Sequence, residues 1–402
     1  MFKILACKNG KIFLMSLFVI FLSFQISYVF AKQNEYVVQT NKIAVHSAPS
    51  ELDIENARDY FRKAKAKLRS KEYRSAVTYF TKAIELDPKY TLAYHDRGYA
   101  KYELGDHVGA IEDYTKTIEL DPNYAFAYGN RCHSKYLLDD YRGAIEDCTK
   151  AIELDPMFVH AYNNRARAKR ESGDNAGAIE DCTKAIELNP NYVHAYNNRG
   201  FAKANIGDKE GALRDYNKTL ELDPEYEAAY NNRGNIKLRR KEYNEAIEDY
   251  NKALAINPKY DLAYHNRGLA KRGLKNYQGA IQDFTKATEL NPKYAKAYYN
   301  RGYTRYKAED YQTSISDFTK AIEVKPKYSD AYYRRGQAKY KLGDFQGAIE
   351  DYNKTLELNP NDSGVYKRIE EAKTALVAPK NTDIIYSEVQ ELNFKDVEAH
   401  FD

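Results

Sequence analysis

The stretch AYNNRGFAKANIGD (195–208) carries apolar or small residues at helical intervals and breaks near Gly207 and Asp208. The next stretch, KEGALRDYNKTLELDP (209–224), is periodic at three and four residues until its proline stops it. The pattern predicts two antiparallel helices joined by a tight turn. It is not a local accident, because proline stands at 88, 122, 156, 190, 224, 258, 292, 326 and 360, always 34 residues apart. With each proline numbered position 32, nine repeats run from 57 to 362: 57–90, 91–124, 125–158, 159–192, 193–226, 227–260, 261–294, 295–328 and 329–362.

Position 4 is tyrosine in every repeat, from Tyr60 to Tyr332. Position 8 is glycine, alanine or cysteine, position 20 is alanine except for Ser314, and position 24 is Phe, Tyr or Cys. Small residues at 8 and 20 predict close approach of the two helices of a repeat, with glycine facing alanine. Together with the period, this pattern resembles the tetratricopeptide repeat family. Tyrosine replaces the tryptophan common at position 4 in that family. The resemblance implies an all-α, right-handed superhelical solenoid of antiparallel helix pairs whose first helices line a concave groove at positions 2, 5, 6, 9, 12 and 13. One such repeat cannot bury its own apolar face, so neighbours supply the core and the ends need caps. Residues 363–378 read as the C-terminal capping helix, 32–56 as a linker and 379–402 as an acidic tail.

Charge changes the picture little. The chain has 62 basic and 58 acidic residues, for a net charge of +4, with no block of one sign to follow a phosphate backbone, so nucleic acid is not expected as a partner. The N-terminus adds more: Lys3, Lys8 and Lys11 precede an apolar run from Ile12 to Ala31 that closes on Val29-Phe30-Ala31. This reads as a cleaved secretory signal over 1–31, or alternatively as an uncleaved membrane anchor over 12–31. Either reading exports the chain, to the periplasm or the exterior, and any membrane contact runs through this segment alone. Cys132, Cys148 and Cys182 take small core positions in the repeat, with a Cys132–Cys148 disulfide as the alternative.

Position 7 is Lys63 in the first repeat and arginine in the other eight, while position 23 is Tyr79 in the first and aspartate in the same eight. The shared exception predicts ion pairs between the helices, including Arg233 with Asp249 and Arg267 with Asp283. Lysine or arginine at position 11 reads as a solvated or snorkelling face. His160 and His194 share a groove position but lack a carboxylate or thiol partner, so no metal site is expected. No nucleophile, phosphate-loop or cofactor signature appears, and neither an enzyme nor a cofactor is expected.

The groove positions keep some identities and vary others, as a receptor surface would. Position 6 is Asn130, Asn164, Asn198, Asn232, Asn266 and Asn300 in six successive repeats, while aromatics collect toward the C-terminal half at Tyr299, Tyr303, Tyr306, Tyr333 and Tyr340. Asparagine is a mediocre helix former, so its recurrence in mid-helix needs a compensating role. Its carboxamide both donates and accepts, and can pair with the backbone of an extended peptide. The resemblance thus implies a non-catalytic scaffold that binds a partner's peptide through an asparagine ladder, similar to that of O-linked N-acetylglucosamine transferases. Three alternatives stand beside it: asparagines that bind the neighbouring repeat, a structural spacer or envelope assembly scaffold using its edges or tail, and a degenerate carboxylate-clamp adaptor built on Asn235, Asn266 and Lys296, with Asn231 and Asn300 where cations are expected.

Overall fold

The computed structural model describes residues 49–377, divided between two compact bodies that meet in sequence after Leu138, inside the third repeat. The 1–31 segment, most of the 32–56 stretch and the 379–402 tail lie outside the described residues. The first body contains α1 (Glu51–Arg69), α2 (Tyr73–Leu86), α3 (Thr91–Glu103), α4 (His107–Leu120) and α5 (Ala125–Leu137). The second contains α6 (Tyr141–Leu154), α7 (Val159–Glu171), α8 (Asn175–Leu188), α9 (Val193–Asn205), α10 (Lys209–Leu222), α11 (Glu227–Arg239) and α12 (Tyr243–Ile256). It continues through α13 (Asp261–Gly273), α14 (Tyr277–Leu290), α15 (Ala295–Lys307), α16 (Tyr311–Val324), α17 (Ser329–Lys341), α18 (Phe345–Leu358) and the capping helix α19 (Ser363–Val377). There is no strand among the described residues, and within each body every helix packs on the next. The fold is an all-α array of helix pairs.

Helix α1 begins six residues before the first repeat, inside the stretch expected to be a linker. Ser50 explains the start: its hydroxyl accepts from the Asp53 N–H at 3.1 Å while the Asp53 carboxylate accepts from the Ser50 N–H at 3.2 Å, a complete capping box. Inside each repeat the turn rests on position 15, which is left-handed throughout. Gly105, Gly173, Gly207 and Gly343 take this conformation freely, whereas Lys71, Asp139, Lys241, Lys275 and Glu309 adopt it against the Cβ penalty. The next residue caps the second helix, as when Asp208 accepts from the Gly211 N–H at 2.8 Å.

The core is built from alanine and, except in the third and fourth repeats where cysteine stands at position 24, one ring per repeat. Ala195, Ala202, Ala229, Ala246 and Ala253 are fully buried, and so are Tyr250, Phe284 and Phe318 at position 24. The position 8 glycines face that ring more closely than the alanine at position 20. A Cβ placed on Gly234 would sit 2.8 Å from Tyr250, and one on Gly268 would sit 2.9 Å from Phe284. In the fourth repeat, Ala166 at position 8 is matched by the small Cys182 at position 24, so volume is exchanged across the interface. Cys182 is a buried free thiol. Cys132 and Cys148 are likewise fully buried, as the small core positions of the repeat lead one to expect.

Position 7 is a charged hub. Arg233 grips Asp249 with two bonds, Nε to Oδ2 at 3.0 Å and Nη2 to Oδ1 at 2.6 Å, and its Nη1 donates to Asn217 of the preceding repeat at 2.7 Å. Its guanidinium also lies 5.5 Å from the ring of Tyr230. Arg267 does the same with Asp283 and Asn251. Lys237 and Lys271 at position 11 close on those aspartates at 2.8 and 2.7 Å, so position 11 belongs to the buried cluster rather than to the solvated face the sequence suggested. The arginine thus ties its own second helix to the preceding repeat, an arrangement that gives position 7 a reason to be arginine rather than apolar.

Candidate peptide-binding groove

On successive first helices the side chain at position 6 reaches back to position 5 of the preceding repeat. The Nδ2 of Asn198 donates to Asn163 Oδ1 at 2.8 Å, that of Asn232 to Asn197 at 3.2 Å, and that of Asn266 to Asn231 at 3.0 Å. Where position 5 is histidine, the ring nitrogen accepts: Asn130 lies 3.1 Å from His95 Nε2 and Asn300 2.9 Å from His265 Nε2. At the C-terminal end the chemistry changes: Arg334 lies over the rings of Tyr303 and Tyr333 and donates from Nη1 to Gln337. Each bond is worth about 1 kcal/mol net, enough to offset the few tenths lost by placing asparagine in a helix. Five of the six asparagines therefore couple neighbouring repeats, the alternative role raised by the sequence.

Position 5 is where sequence reasoning fell short. Its identity varies along the groove, yet Asn163, Asn231 and His265 are 4%, 4% and 5% exposed and act as buried acceptors. The doublets AYNN and AYHN carried the signal, since adjacent polar residues at 5 and 6 of successive repeats are what an inter-repeat bond needs.

The asparagines differ in what they leave free. Asn198 and Asn232 each use one N–H and keep the other N–H and the carbonyl oxygen. Asn164 follows a repeat with Gly129 at position 5 and makes no side-chain hydrogen bond among the described residues. By contrast, the oxygen of Asn266 faces His265 Nδ1 at 3.2 Å and that of Asn300 accepts from Arg272 at 3.0 Å. Asn130 on α5, like Asn198 and Asn232, uses one N–H, toward His95; within the second body the available polar edge is concentrated on α7, α9 and α11.

The tyrosines divide similarly. Tyr299 stacks on Tyr303 with centroids 6.5 Å apart, and burial pushes the hydroxyl of Tyr299 above its ordinary pKa. Tyr303 lies under Arg334 at 4.7 Å, Arg272 at 5.0 Å and Lys307 at 5.6 Å. Tyr306 meets Tyr311 edge-on, Tyr333 packs on Tyr352, and Tyr340 on Phe345, so these three serve the core as well as the groove. His160 and His194 pair with the hydroxyls of Tyr192 and Tyr226 at 3.0 Å, and burial, with Arg167 and His160 nearby, holds His194 below the usual imidazole value. In the clamp alternative, Asn235 accepts from Tyr250 at 2.8 Å while Asn231 and Asn266 bond each other, which leaves that set little to offer a ligand.

An array of stacked helix pairs presenting one helix of each pair to a ligand is the architecture of a protein-interaction scaffold. Tetratricopeptide repeat profiles match residues 57–90, 227–260, 262–294, 295–328 and 329–362, and a profile described as ETO1 C-terminal domain matches 76–239. The chain belongs to the tetratricopeptide repeat family. Among solved structures, the Cut9–Hcn1 hetero-tetramer of the APC/C shares the fold at 16% identity, over 74% of this chain and 59% of that one, with a TM-score of 0.54. YrrB, described as a TPR protein with an unusual peptide-binding site, is 26% identical over 49% of this chain and 99% of its own, with a TM-score of 0.42. MamA from Desulfovibrio magneticus RS-1 is 25% identical over 42% of this chain and 96% of its own, at a TM-score of 0.39. No curated protein matches the chain.

Proposed function

We propose that the chain is a non-catalytic scaffold that holds an extended segment of a protein partner against its first helices, with Asn164, Asn198 and Asn232 pairing with the peptide backbone. The observation that carries this reading is the unused polar edge of those three residues, spaced one repeat apart on neighbouring helices of the second body, while Asn266 and Asn300 of the same body have their oxygens engaged as well. Asn130, Asn266 and Asn300 then serve mainly to hold the repeats in register, and Tyr299, Tyr303, Tyr306, Tyr333 and Tyr340 flank the peptide further along. We infer that the scaffold works outside the cytoplasm, carried there by residues 1–31. No described helix is long and apolar enough to cross a membrane, so a membrane anchor, if retained, is the 12–31 segment.

The test selects peptides from a random displayed library on the intact chain and compares a variant carrying Asn164→Ala, Asn163→Ala and Asn198→Ala. Removing donor and acceptor together leaves no buried orphan, so the melting temperature should hold. Affinity for the selected peptides should fall about tenfold, the equivalent of one to two lost hydrogen bonds. Unchanged affinity sinks the ladder, and failure to select any peptide returns the array to a spacer.

A further inference from the structure

Near the C-terminal end of the array the groove changes character. Arg334, on α17, is half-buried near Tyr299 and lies 4.7 Å from the Tyr303 centroid and 5.7 Å from that of Tyr333. Its Nη1 donates to the neutral Gln337 at 3.0 Å, and among the described residues it has no carboxylate partner. This sets it apart from Arg97, Arg165, Arg199, Arg233, Arg267, Arg301 and Arg335 at position 7, each of which ends on a buried aspartate. Arg272 lies over Tyr303 on α13, and Lys307 projects over the same ring from the end of α15. A partly desolvated guanidinium that meets aromatic faces and neutral acceptors keeps its fork of donors for an anion, and a carboxylate matches that fork. The surrounding rings add apolar surface, so the site fits a peptide in which carboxylates alternate with apolar side chains.

The chain itself contains such a peptide. Residues 379–402 hold Asp383, Glu388, Glu391, Asp396, Glu398 and Asp402 against Lys380 and Lys395, with Ile384, Ile385, Val389 and Leu392 between the acids. In sequence they begin two residues after Val377, the end of α19, which packs on α18 at the C-terminal end of the array. Twenty-four residues reach roughly 80 Å when extended, ample to run back along α17 and α15. Covalent attachment raises the local concentration of the segment to the millimolar range, so even a weak carboxylate contact is populated.

We propose that the acidic segment 379–402 docks in cis on the groove around Arg334 and Tyr303, so that a partner peptide must displace it. The proposal builds on the groove reading but is tested without any partner. Zero-length carbodiimide coupling of the full-length chain, mapped by mass spectrometry, should join Glu388 or Glu391 to Lys307. A mixture of isotope-labelled and unlabelled chains should show that the link forms within one copy. Arg334→Gln should lower the yield at least fivefold while Arg334→Lys largely retains it. Should Arg334→Gln fail to fold, Glu388→Gln with Glu391→Gln, which lie beyond α19, should cut the yield from the remaining tail carboxylates to Lys307 by a similar factor. Links formed only between copies, no link to Lys307, or a yield indifferent to Arg334 and to the tail acids each overturn the proposal. Because no partner is present, loss of the link sinks tail docking alone, and failed peptide selection on a chain that still cross-links sinks the groove reading alone.

Discussion

Asp249→Leu removes the centre of a buried charge cluster and leaves two cations facing a hydrocarbon. Asp249 is 2% exposed and accepts from Arg233 at 2.6 and 3.0 Å and from Lys237 at 2.8 Å. Breaking a buried pair from one side costs about 3–5 kcal/mol, because the remaining charge keeps its desolvation penalty. Arg233→Met should cost less, about 1–3 kcal/mol, since Lys237 still neutralises Asp249 and only the bond to Asn217 is orphaned. The double variant should fall short of the sum of the two by at least about 1 kcal/mol, the signature of residues in one network. The assay is urea unfolding analysed with nearest-neighbour coupling between repeats, so that the loss is assigned to the sixth repeat and its neighbours. Additivity within about 0.5 kcal/mol, or equal costs for the two single variants, would refute the reasoning.

Three further outcomes are expected. Gly234→Ala puts a Cβ 2.8 Å from the Tyr250 ring and should destabilise by about 1–3 kcal/mol, whereas Lys241→Gly at the left-handed turn should stabilise by up to about 1 kcal/mol; calorimetry reads both signs. His265 is buried and held down to about 4, with Arg272 and Lys296 also opposing its charge. The unfolded chain protonates this ring near its ordinary value, so its contribution is complete above about pH 6.5 and is lost as pH falls toward 4, by at most about 3 kcal/mol. His265→Asn, which still offers Asn300 an acceptor, should remove that slope. Burial pushes the Cys182 thiol up to about 12, so alkylation of the native chain should be undetectable on the timescale at which the urea-unfolded chain reacts completely.

The repeat made most of the fold legible. Proline every 34 residues, small residues at positions 8 and 20 and Phe, Tyr or Cys at 24 define helix pairs from sequence alone, and the joint exception of Lys63 and Tyr79 points to the position 7 and 23 contact. The partners that sequence missed are those set by stacking rather than by period. Position 11 looked like a solvated lysine because a period cannot show that its long side chain folds onto a buried aspartate. Position 5 varies because Asn163 and His95 differ in chemistry while sharing one role, as acceptors for the next repeat. The start of α1 at Glu51 depended on a capping box outside the repeat, which the 34-residue frame had no place for.

The most direct measurement is a crystal structure of the chain with a selected peptide. The account predicts peptide backbone N–H groups about 3 Å from the Oδ1 atoms of Asn198 and Asn232, with the bonds from those residues to Asn163 and Asn197 still in place. A peptide seated on the second helices or the edges of the array, or one whose entry breaks the bonds between asparagines, would contradict it.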